Sequence, residues 1–254
     1  MILTLLQHDI VWGNPVANRQ KWETVLREQA VSDVFVLPEM FSTGFVTEPQ
    51  GVAEADGSTL VWMQRMAREL NAAICGSVAT EEEGYYYNRC YFVKPNGDVA
   101  AYDKRHLFTY GDEHRHYVPG HSRQVVEFRG VRFLLQVCYD LRFPVFSRNN
   151  EKIPYDCAIY VASWPTTRLA VWNTLLHARA IENQCYVAGV NRIGDDQVCH
   201  YSGGTLLVDP YGNTAAACPL GEESAVRIEL DMQKLRDFRR KFPVLKDADG
   251  RFLQ

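Results

Sequence analysis

Short apolar runs that stop at a polar, chemically active residue constrain the fold of this chain more than any other feature. Val34-Phe35-Val36-Leu37 leads into Pro38 and Glu39, the run 99–102 leads into Asp103 and Lys104, and the run Val131–Val137 leads into Cys138. Apolar stretches of this length suit strands buried on both faces of a sheet, where a polar face would find no water. Strands of that kind need layers of other structure above and below them, so helices must lie between them in the sequence.

The helices are present. Asn14-Pro15 is a good helix start, with proline in the first turn, and it predicts a helix running to about residue 30. Leu60, Met63, Met66 and Leu70 recur at helical spacing and predict a helix over 59–70. Leu175, Leu176 and Ala180 mark another over 172–182. Further strands are expected at Ile2–Gln7, 74–78, 158–162 and 187–190. Pro95-Asn96-Gly97 turns the segment 91–93 back onto 99–102 as a hairpin. Asp209-Pro210-Tyr211-Gly212 follows 205–208, and with 225–230 it predicts a second hairpin region. Hairpins mixed with strand–helix units point to an α/β fold with mixed sheets and outer helices, not to a simple doubly wound sheet. No linker, low-complexity tract or internal repeat breaks the sequence, so one domain over 1–254 is expected.

Composition narrows the partners. Net charge is −4 with both signs scattered, whereas nucleic-acid binders carry a basic face to neutralise phosphate. The basic cluster at 234–241 (KLRDFRRK) contains an aspartate and reads as a helix end with cations over the last carbonyls. The N-terminal apolar run lacks a basic start and is too short for a signal peptide, and no stretch approaches a membrane span. Seven cysteines, an odd number without a CxxC pair, fit neither a disulfide framework nor a zinc site. The expectation is a cytoplasmic protein with reduced thiols and no nucleic-acid or membrane partner.

The three run-ending residues share an address, the ends of strands, where loops converge over a rigid scaffold. Glu39 lies among apolar neighbours, where an unpaired carboxylate is costly. Lys104 would supply a cation and Cys138 a nucleophile. The remaining cysteines, Cys75, Cys90, Cys157, Cys185, Cys199 and Cys218, are read as small buried packing residues. Glu113 sits in a loop with His114, His116 and His121 whose spacing matches no metal signature, so no metal is expected.

These segments resemble the nitrilase superfamily, the carbon–nitrogen hydrolases. The resemblance lies in Leu37-Pro38-Glu39-Met40-Phe41, in 102–108 around Lys104, and in 137–144 around Cys138. Helix residues 175–184 and the segments 202–205 and 209–212 resemble later parts of the family, so nearly the whole chain is covered. Met40-Phe41-Ser42-Thr43-Gly44-Phe45 and 138–144 look closest to the ω-amidase group, enzymes that release ammonia from 2-oxoglutaramate or 2-oxosuccinamate. The resemblance implies a four-layer α-β-β-α sandwich, a homodimer, Glu113 as a fourth site residue, and no metal or organic cofactor.

The chemistry then expected is hydrolysis of a small amide through a thioester. Cys138 would attack with its thiolate favoured by Lys104. Lys104 and the Tyr139 backbone N–H would hold the oxyanion, and Glu39 would carry protons. Phe41, Phe45, Phe108 and Trp164 are candidate walls for the substrate. A carboxylate on the substrate would need a cation from among Arg105, Arg142 and Arg168; Arg142 is expected to pair with Asp140, which leaves Arg168. Alternatives are a nitrile- or carbamoyl-hydrolysing member and a binding module on the same fold with its chemistry unused.

Overall fold

The computed structural model describes residues 1–248. The elements in chain order are β1 (Ile2–Gln7), α1 (Pro15–Glu28), β2 (Val34–Val36), α2 (Ser58–Leu70), β3 (Ala73–Glu82), β4 (Tyr85–Val93) and β5 (Val99–Asp103). After a loop of 3-10 turns come β6 (Val125–Phe128), β7 (Val131–Val137), α3 (Pro144–Ser147), β8 (Cys157–Ala162), α4 (Leu169–Asn183) and β9 (Tyr186–Asn191). The chain closes with β10 (Ile193–Asp195), β11 (His200–Ser202), β12 (Leu206–Val208), β13 (Thr214–Ala217), β14 (Ser224–Glu229) and α5 (Met232–Lys241).

Two six-stranded mixed sheets carry the fold, ordered β14-β1-β2-β3-β4-β5 and β13-β12-β9-β8-β7-β6. Their facing sides interdigitate Leu3, Val36 and Phe92 with Phe133, Leu135 and Ile159. The outer face of the first sheet packs on α1 and α2 through Trp22, Leu26, Met63 and Met66. The outer face of the second packs on α4 through Trp172, Leu176 and Ala180. This is the expected four-layer α-β-β-α sandwich. The strands β2, β7, β8 and β9 are buried at every residue but one, which is why they read as unbroken apolar runs.

Local signals explain the helix ends. The Asn14 side chain accepts from Ala17 N at 3.1 Å and Pro15 opens α1. Asp231 caps α5 by accepting from Lys234 N at 2.9 Å, and Arg239, Arg240 and Lys241 fill its last turn as expected.

Several elements differ from the sequence expectation. β3 and β4 extend beyond 74–78 and 91–93 into a long hairpin turning at Glu83 and Gly84, both at positive φ. The outer end of the added half leaves the core and carries acids and tyrosines, so its apolar signal fades. β6 and β13 were not expected; both are short edge strands, and β13 is mostly exposed. The turn at Asp209 joins β12 to β13, not to β14. β14 instead pairs antiparallel with β1 in the other sheet, Leu5 opposite Val226, and its Val226 and Ile228 reach the inter-sheet core.

Two residues that follow active-looking strands, Met40 and Cys138, have φ of 45° and 46° without being glycine. Such backbone costs roughly 1–3 kcal/mol and lasts only where the surroundings hold it. At Met40 the reversal sends Phe41 back into the α1/α2 layer. There its ring lies 5.9 Å from that of Trp62 and would clash with any Cβ at Gly76, and its carbonyl accepts from Trp22 Nε1 at 2.9 Å. Phe41 is therefore a core residue and not a substrate wall. Phe41→Ala is expected to lower the unfolding free energy by about 3–5 kcal/mol in urea titration; a loss below about 1 kcal/mol would contradict its place in that core.

Candidate active site

Glu39 follows β2, Lys104 follows β5 and Glu113 sits in a 3-10 turn of the loop beyond; none has any exposed surface. Lys104 Nζ donates to Glu39 Oε1 at 2.9 Å and to Glu113 Oε2 and Oε1 at 2.9 and 3.1 Å. Buried charges are tolerable only when paired and fully hydrogen-bonded. Here the remaining acceptors are met as well. Asn88 Nδ2 bridges Glu39 Oε1 at 2.7 Å and Glu113 Oε1 at 3.1 Å, Ser163 N donates to Glu39 Oε2 at 2.9 Å, and Phe108 N donates to Glu113 Oε2 at 2.6 Å. The Phe45 ring lies 5.3 Å from Lys104 Nζ. The loop that carries Glu113 is drawn in at Gly120, where a Cβ would fall 2.1 Å from Asp103 O.

Electrostatics follow from the same packing. Burial works to lower the Lys104 pKa, but the charges of Glu113 and then Glu39 outweigh it and raise the value, so the amine stays a cation. Burial raises the Glu113 pKa against the pull of Lys104. Cys138 follows β7 and feels the charges of both Glu39 and Lys104. Burial pushes its thiol well above the ordinary value, the Glu39 charge adds to this, and Lys104 opposes it. Lys104 thus favours the thiolate, as expected, but burial and the Glu39 charge pull the other way. The cation is outweighed by desolvation and by the Glu39 charge, so the proton must leave as the thiol reacts.

Cys138 opens onto a small cavity of about 50 Å³ walled by Phe45, Phe108, Tyr139, Trp164 and Tyr201. Tyr139 is the second residue of the 3-10 turn Cys138–Arg142, where the first N–H groups lack partners within the turn. Of the expected walls, Phe108 and Trp164 line the cavity and Phe41 does not. Arg168 lines it, its guanidinium 5.4 Å from the Phe108 ring. Arg142 lines it too, 5.2 Å over the Trp164 ring, and makes no pair with Asp140. The turn directs the Arg142 side chain outward, while the Asp140 carboxylate is taken up by groups on β5, β7 and the lysine loop. Arg105 points elsewhere, onto Gly120 O at 2.9 Å, and borders a cleft of about 840 Å³ that touches none of Glu39, Lys104 and Cys138.

Cys199 was read as a packing cysteine but is half-buried and lines the Cys138 cavity from the β10–β11 hairpin; the other five are buried as expected. Asn88, Ser163 and Tyr201 carried no sequence signal beyond residue type. Asn88 could have been found only by extending β4 outward and noting an amide among inward positions. His114, His116 and His121 do not converge, and no group of three or more His, Cys, Asp or Glu among the described residues is placed to hold a metal.

The sequence profile of the carbon-nitrogen hydrolase family matches residues 2–240. The chain is 47% identical over 248 residues to omega-amidase YafV of Escherichia coli strain K12, covering 97% of this chain and 96% of that one. It is 36% identical over 250 residues to the 2-oxoglutaramate amidase of Bacillus subtilis, covering 96% of each. The structure of XC1258 from Xanthomonas campestris, a CN-hydrolase superfamily protein with an arsenic adduct in its active site, superposes with a TM-score of 0.95 at 40% identity, over 98% of this chain and 97% of that one.

The opposing charges around Cys138 give a directional test. The pH midpoint of iodoacetamide alkylation at Cys138 should lie above that of a free thiol, fall in Glu39→Gln and rise in Lys104→Met. Midpoints that stay put, or move the other way, would refute the assigned electrostatics.

Proposed function

This chain belongs to the carbon–nitrogen hydrolase family, and we propose that it is an ω-amidase. In this reading it cleaves the terminal amide of a short 2-oxo dicarboxylic acid monoamide, 2-oxoglutaramate or 2-oxosuccinamate, to the diacid and ammonia. The observation that carries the reading is the cavity itself: a thiol beside a buried acid–amine pair at one side, and the two guanidinia of Arg142 and Arg168 on the same small, aromatic-walled space. A desolvated substrate carboxylate needs such cations, and arginine can meet it with paired donors. The relatives named for ω-amides support the same substrate class.

The steps follow from the placement. Glu39 takes the Cys138 proton as sulfur bonds to the amide carbon, and Lys104 Nζ with Tyr139 N–H steadies the oxyanion, each donor being worth roughly 3–4 kcal/mol in such sites. The C–N bond then breaks as Glu39 hands its proton to the leaving nitrogen, which departs as ammonia and leaves a thioester. Glu39 next deprotonates a water that attacks the thioester carbon. The C–S bond breaks, sulfur recovers the proton, and the acid leaves. Glu113 keeps Lys104 oriented throughout, since it takes two of the contacts on Nζ. The reading further includes one domain over the chain, a cytoplasmic homodimer, a small-molecule partner only, and no cofactor. No helix among the described residues is long and apolar enough to cross a membrane.

Cys138→Ala is expected to abolish ammonia release, and intact enzyme soaked with substrate to carry an acyl adduct on the Cys138 peptide by mass spectrometry; an active alanine variant would remove the mechanism. For the substrate, kcat/KM on 2-oxoglutaramate should exceed that on an analogue with methyl in place of the carboxylate by about 10⁴-fold, because the arginines would be left unpaired. Equal turnover of the two would point to a general small-amide hydrolase.

A further inference from the structure

The turn that presents the thiol needs an anchor, since Cys138 sits at φ 46° with a side chain. Asp140, two residues on, has no exposed surface and lies outside the cavity. Its Oδ2 accepts from Val137 N at 2.9 Å and from the Tyr102 hydroxyl at 2.8 Å. Its Oδ1 accepts from His106 N at 3.0 Å and from His106 Nδ1 at 2.7 Å. Tyr102 precedes Lys104 by two residues and His106 follows it by two, while Val137 directly precedes Cys138.

One carboxylate therefore joins both flanks of the lysine to the base of the nucleophile turn. The far side is fixed as well, because Arg179 of α4 donates to Leu141 O at 2.5 Å. The jaws are themselves held. The His106 ring stacks on Phe143 at 3.9 Å, and the Tyr102 hydroxyl accepts from Arg105 N at 3.1 Å. Burial and the Asp140 charge keep that hydroxyl protonated, so it remains a donor.

We propose that Asp140 is a positioning residue for the reaction: a carboxylate clamp, with Tyr102 and His106 as its jaws, that holds Cys138 in its strained turn and sets its separation from Lys104 and Glu39. The inference rests on the reading of Cys138 as nucleophile. The clamp acts through the thiol and never meets the substrate. It should govern the rate at which bound substrate is acylated and leave substrate affinity nearly alone.

The test uses the full chain with 2-oxoglutaramate as substrate and iodoacetamide as a probe of the free thiol. Asp140→Asn keeps the volume but turns an N–H toward the donors it should accept from, and kcat is expected to fall about 100-fold with KM within about threefold. Tyr102→Phe keeps the ring and removes one of the donors, and a loss of about tenfold in kcat is expected. Alkylation of Cys138 should slow in both variants. The double variant should be no slower than Asp140→Asn alone, since the hydroxyl works only through that carboxylate. Should Asp140→Asn fail to fold, Tyr102→Phe carries the same measurements. Wild-type kcat and alkylation in Tyr102→Phe, even with a lowered melting temperature, would reduce the clamp to a structural role and overturn the proposal, as would a raised KM at unchanged kcat. An active Cys138→Ala enzyme would instead overturn the nucleophile assignment, which keeps the two failures apart.

Discussion

Everything in this molecule is arranged around a lysine with no exposed surface. Lys104 lies between Glu39 and Glu113, all three without exposed surface, and their mutual pairing is the condition on which the rest stands. Removing one partner from such a group typically costs about 3–5 kcal/mol, because the charges left behind stay buried. The sheets meet that condition with fixed donors. Asn88 on β4, the amide after β8 at Ser163 and the Phe108 amide each meet a carboxylate oxygen that the lysine alone does not fully satisfy. The packed sheets fix Glu39 and Lys104 at strand ends and Asn88 within β4, and the loop that carries Glu113 is anchored onto them by the same hydrogen bonds.

The same group links stability to pH in two senses. The raised Lys104 value means that its contribution is complete below the ordinary lysine pKa of 10.5 and is lost only as pH climbs through the higher folded value. Glu113, also raised, favours the folded state below its ordinary value of 4.5, and that contribution is lost as pH rises through its folded value. Around neutrality the lysine stabilises the site, while burial works against the ionised form of Glu113. In the proposed mechanism a buried carboxylate that grips the lysine would serve the oxyanion, since preorganised charge acts most strongly in a buried site.

Strain and electrostatics meet at Cys138. A left-handed backbone turn brings Cys138 to the cavity, where burial and then the Glu39 charge raise its thiol pKa. A thiol held neutral in this way is less exposed to chance oxidation than a standing thiolate, because reactivity follows the thiolate fraction. The second half-buried thiol on the same cavity, Cys199, is likewise pushed up, by burial and by Asp196.

Much of this was legible in the sequence, and the reason is local. A strand buried on both faces must read as an apolar run, and the residue that ends it must leave the sheet at its rim. Glu39, Lys104 and Cys138 were therefore placed at the site by their own flanking residues, and the family motifs around them added the sandwich. What tertiary structure alone decided is how side chains separated by tens of residues face one another. Phe41 and Phe45 are near neighbours in sequence, yet the backbone reversal at Met40 puts one in the helix layer and the other beside Lys104. Arg142 was assigned to Asp140 by proximity along the chain, but the carboxylate is claimed across space by Tyr102 and His106, which frees the arginine for the cavity. β14 crosses to β1, and Asn88 and Cys199 reach the site, for the same reason. Periodicity and motif report a residue's own environment, while direction and partner depend on how two sheets pack, which no local stretch of sequence encodes.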